Sequence, residues 1–249
     1  MKLVSLNCWG GQVKDILSFF NKYKDVDVFC LQEVLSGGNG MSKRGEIKSL
    51  FEDIQKVLLK HTGYFFEYGD GGYYSESSKD LDFKYGIAYF VKSNLIHSSG
   101  EGISLYNLEE KWNDYSGRFA AGCALSVSVE NYSIINVHGL WQGSIKTDTE
   151  AKLAQSRKII DLTIRTKGDK KIICGDFNLR PDTKSMFMIE KQFKNLIIEN
   201  NIKSTRSSIY TKIEKFADFI FISKNIEPND FKVLDEVVSD HLPLLLEFQ

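Results

Sequence analysis

Proline is scarce in this chain, three residues in 249, and neither sign of charge dominates: 32 basic against 33 acidic residues leave a net charge of −1. That balance argues against a protein that holds nucleic acid mainly by bulk positive charge, while leaving room for a local basic groove. No window holds about 18 consecutive apolar residues, so no membrane-spanning helix is expected. The opening "MKLVSLNCWG" starts a strand at once and is too short and polar for a secretory leader, which makes the cytoplasm the expected location. Only four cysteines occur, and Cys8, Cys30, Cys123 and Cys174 show no CxxC or Cys/His zinc spacing. Each lies in or beside an apolar run, so small buried thiols are expected rather than disulfides or a zinc site. Repeats, low-complexity blocks and linkers are also lacking. Residues 1–249 are therefore expected to form one domain, long enough to bury about three quarters of the unfolded chain's surface.

What is present is a recurrence of short β-like runs: Lys2–Cys8, Val26–Gln32, Gly86–Val91, Ala120–Val129, Tyr132–Val137, Lys170–Cys174, Ala217–Ile222 and Leu244–Phe248. Helical spacing lies between several of them. Val13–Tyr23 puts Val13, Ile16, Leu17 and Phe20 on one face, and Glu46–Leu59 repeats apolar residues at helical intervals. Thr147–Thr166 opens with a capping-box pattern, Thr147-x-x-Glu150, and ends before Gly168. A fourth helix is expected over Lys184–Glu199. Only Glu130 and Asn131 separate two of the runs, which predicts an antiparallel hairpin. Mixed strand pairing with intervening helices points to an α/β domain.

The apolar runs end in polar residues. "LVSLNCW" places Asn7 at a strand end, "FCLQEV" places Glu33, "INVHGLW" places His138, and "CGDFN" places Asp176 and Asn178. "VVSDHLPLLLEF" sets Asp240 and His241 before the last strand, and "FADFIFIS" sets Asp218 near the start of another. Singly, each has an ordinary structural explanation: a turn cap, a surface ion pair or a satisfied core histidine. Together they require the same accident several times. Converging carboxylates repel unless a cation sits among them, and Glu, Asp and Asn oxygens without sulfur suit a hard ion such as Mg²⁺ or Mn²⁺. Two histidines add candidates for proton transfer near neutral pH.

In this order and at these separations, "LNCW", "LQEV", "NVHG", "GDFN", "FADFIF" and "SDHLP" resemble the endonuclease/exonuclease/phosphatase superfamily, over nearly the whole chain from Leu6 to Pro243. The resemblance implies a four-layer α/β/β/α sandwich, two packed mixed β-sheets flanked by helices. It also implies metal-dependent hydrolysis of a phosphate ester, with water attacking phosphorus. Glu33 matches the principal metal-ligand position, with Asn7 and Asp240 in the same cluster, and Mg²⁺ (or Mn²⁺) is the implied cofactor. Asp176 matches the residue that orients or deprotonates the water, and Asn178 an amide that holds the scissile phosphate. His241 matches a histidine that stabilises the phosphorus centre or transfers a proton. Asp218 matches its carboxylate partner, and His138 a second histidine.

The substrate is less legible. Arg118 in "YSGRFAAG" precedes a strand and is a candidate phosphate ligand. Trp9, Trp112, Tyr115 and Trp141 sit in or beside site-bearing loops, where they would stack on bases or else join the core. "MSKRGEIK" is expected to be a solvated helix start. A phosphodiester hydrolase acting on DNA or RNA is the first expectation, and a lipid or small-molecule phosphoesterase the alternative. A catalytically inactive scaffold ranks last, because Glu33, Asp176 and His241 are all present. Without an amphipathic basic helix, no stable membrane association is expected, although Tyr73 and Tyr74 in the Gly69–Lys84 loop could touch an interface. A monomer is expected.

Overall fold

The computed structural model describes residues 1–68, 82–105 and 122–249. In chain order its elements are β1 (Lys2–Asn7), α1 (Ile16–Lys22), β2 (Val28–Ser36), α2 (Leu50–Val57), β3 (His61–Glu67), β4 (Lys84–Lys92), β5 (His97–Ser104), β6 (Cys123–Val129) and β7 (Tyr132–His138). There follow α3 (Glu150–Arg165), β8 (Lys170–Asp176), α4 (Lys184–Glu190), β9 (Phe193–Asn195), α5 (Leu196–Glu199), β10 (Asp218–Ser223), β11 (Pro228–Val233) and β12 (Leu244–Phe248).

The strands form two six-stranded sheets, ordered β11-β12-β1-β2-β4-β3 and β5-β6-β7-β8-β10-β9. Both are mixed in the same way. The central pair, β1/β2 or β7/β8, is parallel and every other pair antiparallel. Each parallel pair is joined by a helical crossover, through α1 in the first sheet and α3 in the second, as parallel neighbours require. The strands β2 and β4 face β6, β7 and β8 across the interior. Phe19, Phe20, Leu50 and Ile54 of α1 and α2 cover the outer face of the first sheet against Val4, Leu6, Phe29 and Leu31. Ile159, Leu162, Met186 and Ile189 of α3 and α4 cover the second. The result is the expected four-layer sandwich.

Local details depart from the sequence-based expectation. Thr149, not Thr147, caps α3, its hydroxyl accepting from the Lys152 amide at 3.2 Å. The helix expected over Lys184–Glu199 is interrupted at Phe193–Asn195, which pairs with β10; ladder bonding there overrides helical spacing. The "MSKRGEIK" segment is not a helix start. Met41 bridges to Ile47, the Ser42 hydroxyl donates to Glu46 at 2.6 Å, and helix begins only at Leu50. The four cysteines are free and buried. No helix among the described residues is long and apolar enough to cross a membrane.

Candidate active site

Three of the expected residues stand in one row. In the second sheet His138 of β7 is in register with Asp176 of β8, and Asp176 with Asp218 of β10. The strand β8 extends beyond the expected Lys170–Cys174 run, through Gly175 to Asp176. Gly175 is required by close approach: its φ is +133°, and a Cβ there would lie 2.0 Å from the carbonyl oxygen of Val137. Gly139 is similarly confined, since a Cβ would meet the Phe177 carbonyl oxygen at 2.4 Å. These glycines let the β7 and β8 ends converge. Phe177 turns into the core, while Asp176 at the strand end and Asn178, turned by its left-handed backbone, line a common cavity.

The first sheet contributes Asn7 and Glu33 from its own parallel pair. Glu33 sits at a bulge, where the β2/β4 register shifts between Leu31 and Val34, and its φ of +52° is left-handed. The Asn7 amide nitrogen donates to Glu33 Oε1 at 3.0 Å and to Asp176 Oδ2 at 3.1 Å, joining the two sheets. Its carbonyl oxygen accepts from the Trp9 backbone at 3.0 Å, which sets the amide's orientation.

The imidazole of His241 is held by Asp218, whose two oxygens each lie 2.8 Å from Nδ1. Its Nε2 lies 3.7 Å from Asp176 Oδ2 and 3.7 Å from Asp240 Oδ1. Burial and the Arg206 guanidinium push the His241 pKa down, but Asp218 and Asp240 outweigh them and the net direction is up. Burial pushes Asp176 upward, yet His241, Lys146, Arg206 and His138 together hold it well below the usual carboxylate range. Asp176 is thus an ionised acceptor beside the His241 ring. Asp240 is pushed up by burial, with Glu33 and Asp218 adding to it against His241 and Arg206. His138 presents Nε2 to Glu33 Oε1 at 3.6 Å, while its Nδ1 is hydrogen-bonded to the Tyr68 hydroxyl.

Asn178, at φ +54°, receives the Lys146 ammonium on its side-chain oxygen and donates to the Gly139 carbonyl at 3.0 Å. Its backbone amide donates to Asp176 Oδ1 at 2.7 Å. The Lys152 ammonium donates to the carbonyls of Ile145 and Asn178. Burial lowers Lys146 to about 8 and Lys152 to about 7. Arg206 reaches Asp240 Oδ2 at 3.2 Å, touches His241 Nε2 and lies over the Tyr210 ring, 4.2 Å from its centroid.

Glu33, Lys146, Asp176, Asn178, Arg206, Asp240 and His241 line a cavity of about 750 Å³ together with Trp9, Trp141 and Tyr210, whereas Asn7, His138 and Asp218 are not among its lining residues. Tyr68, Lys146 and Arg206 were not anticipated from the sequence. They lie outside the polar strand ends that drew attention to the others, although the buried lysine at the start of α3's loop follows the same "NVHG" stretch. Arg118, Trp112, Tyr115, Tyr73 and Tyr74 lie outside the described residues. Arg44 of "MSKRGEIK" lines the cavity.

The donor set fits a hard divalent ion. Glu33, His138 and Asp176 each present one ligand atom within 4.8 Å of the others, as do Asp176, Asp218 and His241. Two carboxylates sharing one amide donor leave oxygen lone pairs for a cation. Of the expected set, Asn7 and Glu33 are in contact, whereas Asp240 lines the same cavity with its carboxylate on Arg206.

The family model described as Endonuclease/Exonuclease/phosphatase family matches residues 4–241. No curated protein matches the chain in sequence. Among solved structures, an endonuclease/exonuclease/phosphatase from Bacteroides vulgatus is similar at 15% identity, with TM-score 0.69, covering 100% of this chain and 98% of that one. A mannosyl-6-phosphatase from Bacteroides thetaiotaomicron is similar at 16% identity, with TM-score 0.67 and coverage of 100% and 99%. The human Nocturnin catalytic domain with bound sulfate is similar at 18% identity, with TM-score 0.65 and coverage of 100% and 93%. At such identities the likeness shows a shared fold.

Proposed function

Because the chain belongs to the endonuclease/exonuclease/phosphatase family, whose members hydrolyse phosphoester bonds and generally depend on divalent metal, we propose that it is a Mg²⁺- or Mn²⁺-dependent hydrolase cleaving a phosphate ester of a nucleic acid or nucleotide. The observation that carries this reading is the register row His138–Asp176–Asp218, with His241 anchored on Asp218 and Glu33 brought to the same wall.

Each side chain has a task that follows from its position. Asp176, ionised and buried, accepts a hydrogen bond from the attacking water and takes its proton. His241, oriented by Asp218 at Nδ1 and met by Arg206 at Nε2, stands with that guanidinium beside the phosphate position, and the pair offsets the charge that grows on it. His138, backed by Tyr68, stands beside Glu33 as a second donor for the leaving oxygen. Asn178 offers the second N–H of its amide. Glu33, with Asn7 and Asp240 nearby, would hold the ion, which supplies charge neutralisation at a phosphate oxygen when bound. Trp9, Trp141 and Tyr210 on the cavity wall favour a substrate carrying a base, since every base has a face to stack. A cavity of about 750 Å³, a volume ordinary for a small-molecule site, makes a small phosphoester the second reading.

The test is hydrolysis of supercoiled plasmid, single-stranded DNA and RNA, mononucleotides and a sugar phosphate with Mg²⁺, Mn²⁺ or chelator. Turnover of a base-bearing substrate that requires metal and falls on the order of 10³-fold in Asp176→Ala is expected. Turnover that survives chelator, or an Asp176→Ala rate within tenfold of wild type, would overturn the proposal.

A further inference from the structure

Lys146 and Arg206 are absent from the strand-end set that the resemblance accounts for, yet both are buried at the cavity wall. Lys146 is 5% exposed and Arg206 8%. Burying an ammonium and a guanidinium is costly unless each meets an anion. Lys146 touches only a neutral amide oxygen, that of Asn178, among its described hydrogen bonds. Arg206 places one fork nitrogen on Asp240 and against His241 Nε2, and its Nε is buried with no hydrogen-bond partner in the described structure. It is fixed from two sides. Its backbone bridges to that of His241, and its guanidinium lies on Tyr210. Both cations therefore border the point where Asp176, Asn178 and His241 meet.

Oxygen counting then discriminates between ester types. The internal phosphate of a diester has two non-bridging oxygens. If the divalent ion takes one, a single oxygen remains for the N–H groups of the Asn178 amide, the Lys146 ammonium and the Arg206 guanidinium. An oxygen accepts about two or three hydrogen bonds at reasonable angles, so this set of donors is too large for it. A phosphomonoester has three non-bridging oxygens and a second negative charge, and it can satisfy all of them. Resting on the proposed hydrolase, we infer that the site is built for a terminal phosphate: Lys146 and Arg206 form a clamp for the oxygen that a diester lacks, making a phosphomonoester the preferred substrate. The reaction is R–O–PO₃²⁻ + H₂O → R–OH + HPO₄²⁻. The water oxygen bonds to phosphorus and the P–O(R) bond breaks. The leaving oxygen acquires a proton from a histidine, and the water's proton passes to Asp176.

Binding tests this independently of turnover. Inorganic phosphate and dimethyl phosphate are titrated into the whole protein by calorimetry, with and without Mg²⁺, for wild type, Arg206→Gln, Arg206→Lys and Lys146→Gln, with thermal melts as the folding control. Wild type should bind inorganic phosphate at least about tenfold tighter than dimethyl phosphate. Either Gln variant should lose most of that preference, the loss falling mainly on inorganic phosphate, and Arg206→Lys should keep part of it. Equal binding of the two anions by wild type would overturn the clamp, as would an undiminished preference in folded Lys146→Gln and Arg206→Lys. If the clamp is present but no ester turns over with metal, the hydrolase proposal fails and the anion site stands. A parallel assay of phosphate release from a nucleoside 3′-monophosphate, a nucleoside 5′-monophosphate and a 5′-phosphorylated oligonucleotide separates free nucleotide from a nucleic-acid end as the source of the phosphate.

Discussion

The side chain of Gln32 on β2 donates to that of Asn136 on β7 at 2.6 Å, and Asn136 in turn donates to the carbonyls of Leu31 and Ala88 at 3.0 and 3.1 Å. Leu31 and Ala88 are the last residues in register before the bulge that carries Glu33. A side chain of one sheet thereby satisfies acceptors at the irregularity of the other, and the left-handed Glu33 is supported from across the core. Asn136 is fully buried. Asn136→Ala should strand these acceptors and destabilise the fold by about 2–4 kcal/mol. Because the bulge aims Glu33, Mg²⁺ affinity should also fall in the folded variant. Chemical denaturation with an Mg²⁺ titration checks both; unchanged stability would show that the carbonyls find other partners.

Tyr68 gives the second prediction. Its hydroxyl is fixed on His138 Nδ1, and the ring packs edge-on against the imidazole with centroids 5.5 Å apart. Tyr68→Phe keeps the ring and removes the hydrogen bond. The turnover number should drop about 10- to 100-fold, with little change in melting temperature, because the ring orientation loosens while the packing remains. An unchanged turnover number would assign Tyr68 to packing alone.

Asp218 acts through His241. Asp218→Asn retains the shape but removes the charge that outweighs burial of the imidazole. The expected loss is about 10²- to 10⁴-fold in kcat/KM, because the ring loses the carboxylate that orients it. Steady-state kinetics on whichever substrate of the hydrolysis panel turns over is the measurement, and a loss under tenfold would remove Asp218 from the mechanism.

How far these features could be read beforehand depended on burial. The central strands β1, β2, β7, β8, β10 and β12 are almost wholly buried, so their composition is apolar and their polar ends stand out as anomalies. Asn7, Glu33, His138, Asp176 and Asp218 were visible for that reason. The edge strands were not. β5, "HSSGEGIS", and β11, "PNDFKV", are largely exposed and carry no strand-like hydrophobic pattern, and β9 has three residues whose spacing continues that of α4. Tyr68 and Arg206 escaped notice for a related reason. Neither ends an apolar run, and only tertiary contacts place them, the Tyr68 hydroxyl on His138 and the bridge of Arg206 to His241. The Asn136–Gln32 pair is beyond local pattern altogether, since it links residues 104 positions apart.

Lys152 carries the last prediction, one of pH. It is fully buried, its ammonium donates to Asn178 O at 3.0 Å and to Ile145 O, and burial with Lys146 nearby lowers its pKa from an ordinary lysine value to about 7. In the unfolded chain it stays protonated to about pH 10. Between these values the unfolded state binds the extra proton, so the stability of the folded protein should rise with pH across that window and its Lys152 contribution should be smallest below about 7. Lys152→Met removes the titrating group. It loses two hydrogen bonds to carbonyls, so it should be less stable than wild type at high pH, and its stability should vary less between about pH 7 and 10. Urea unfolding of both proteins across that range measures the difference in slope. Parallel pH curves would mean that Lys152 remains charged in the fold, with the carbonyls of Ile145 and Asn178 compensating its burial.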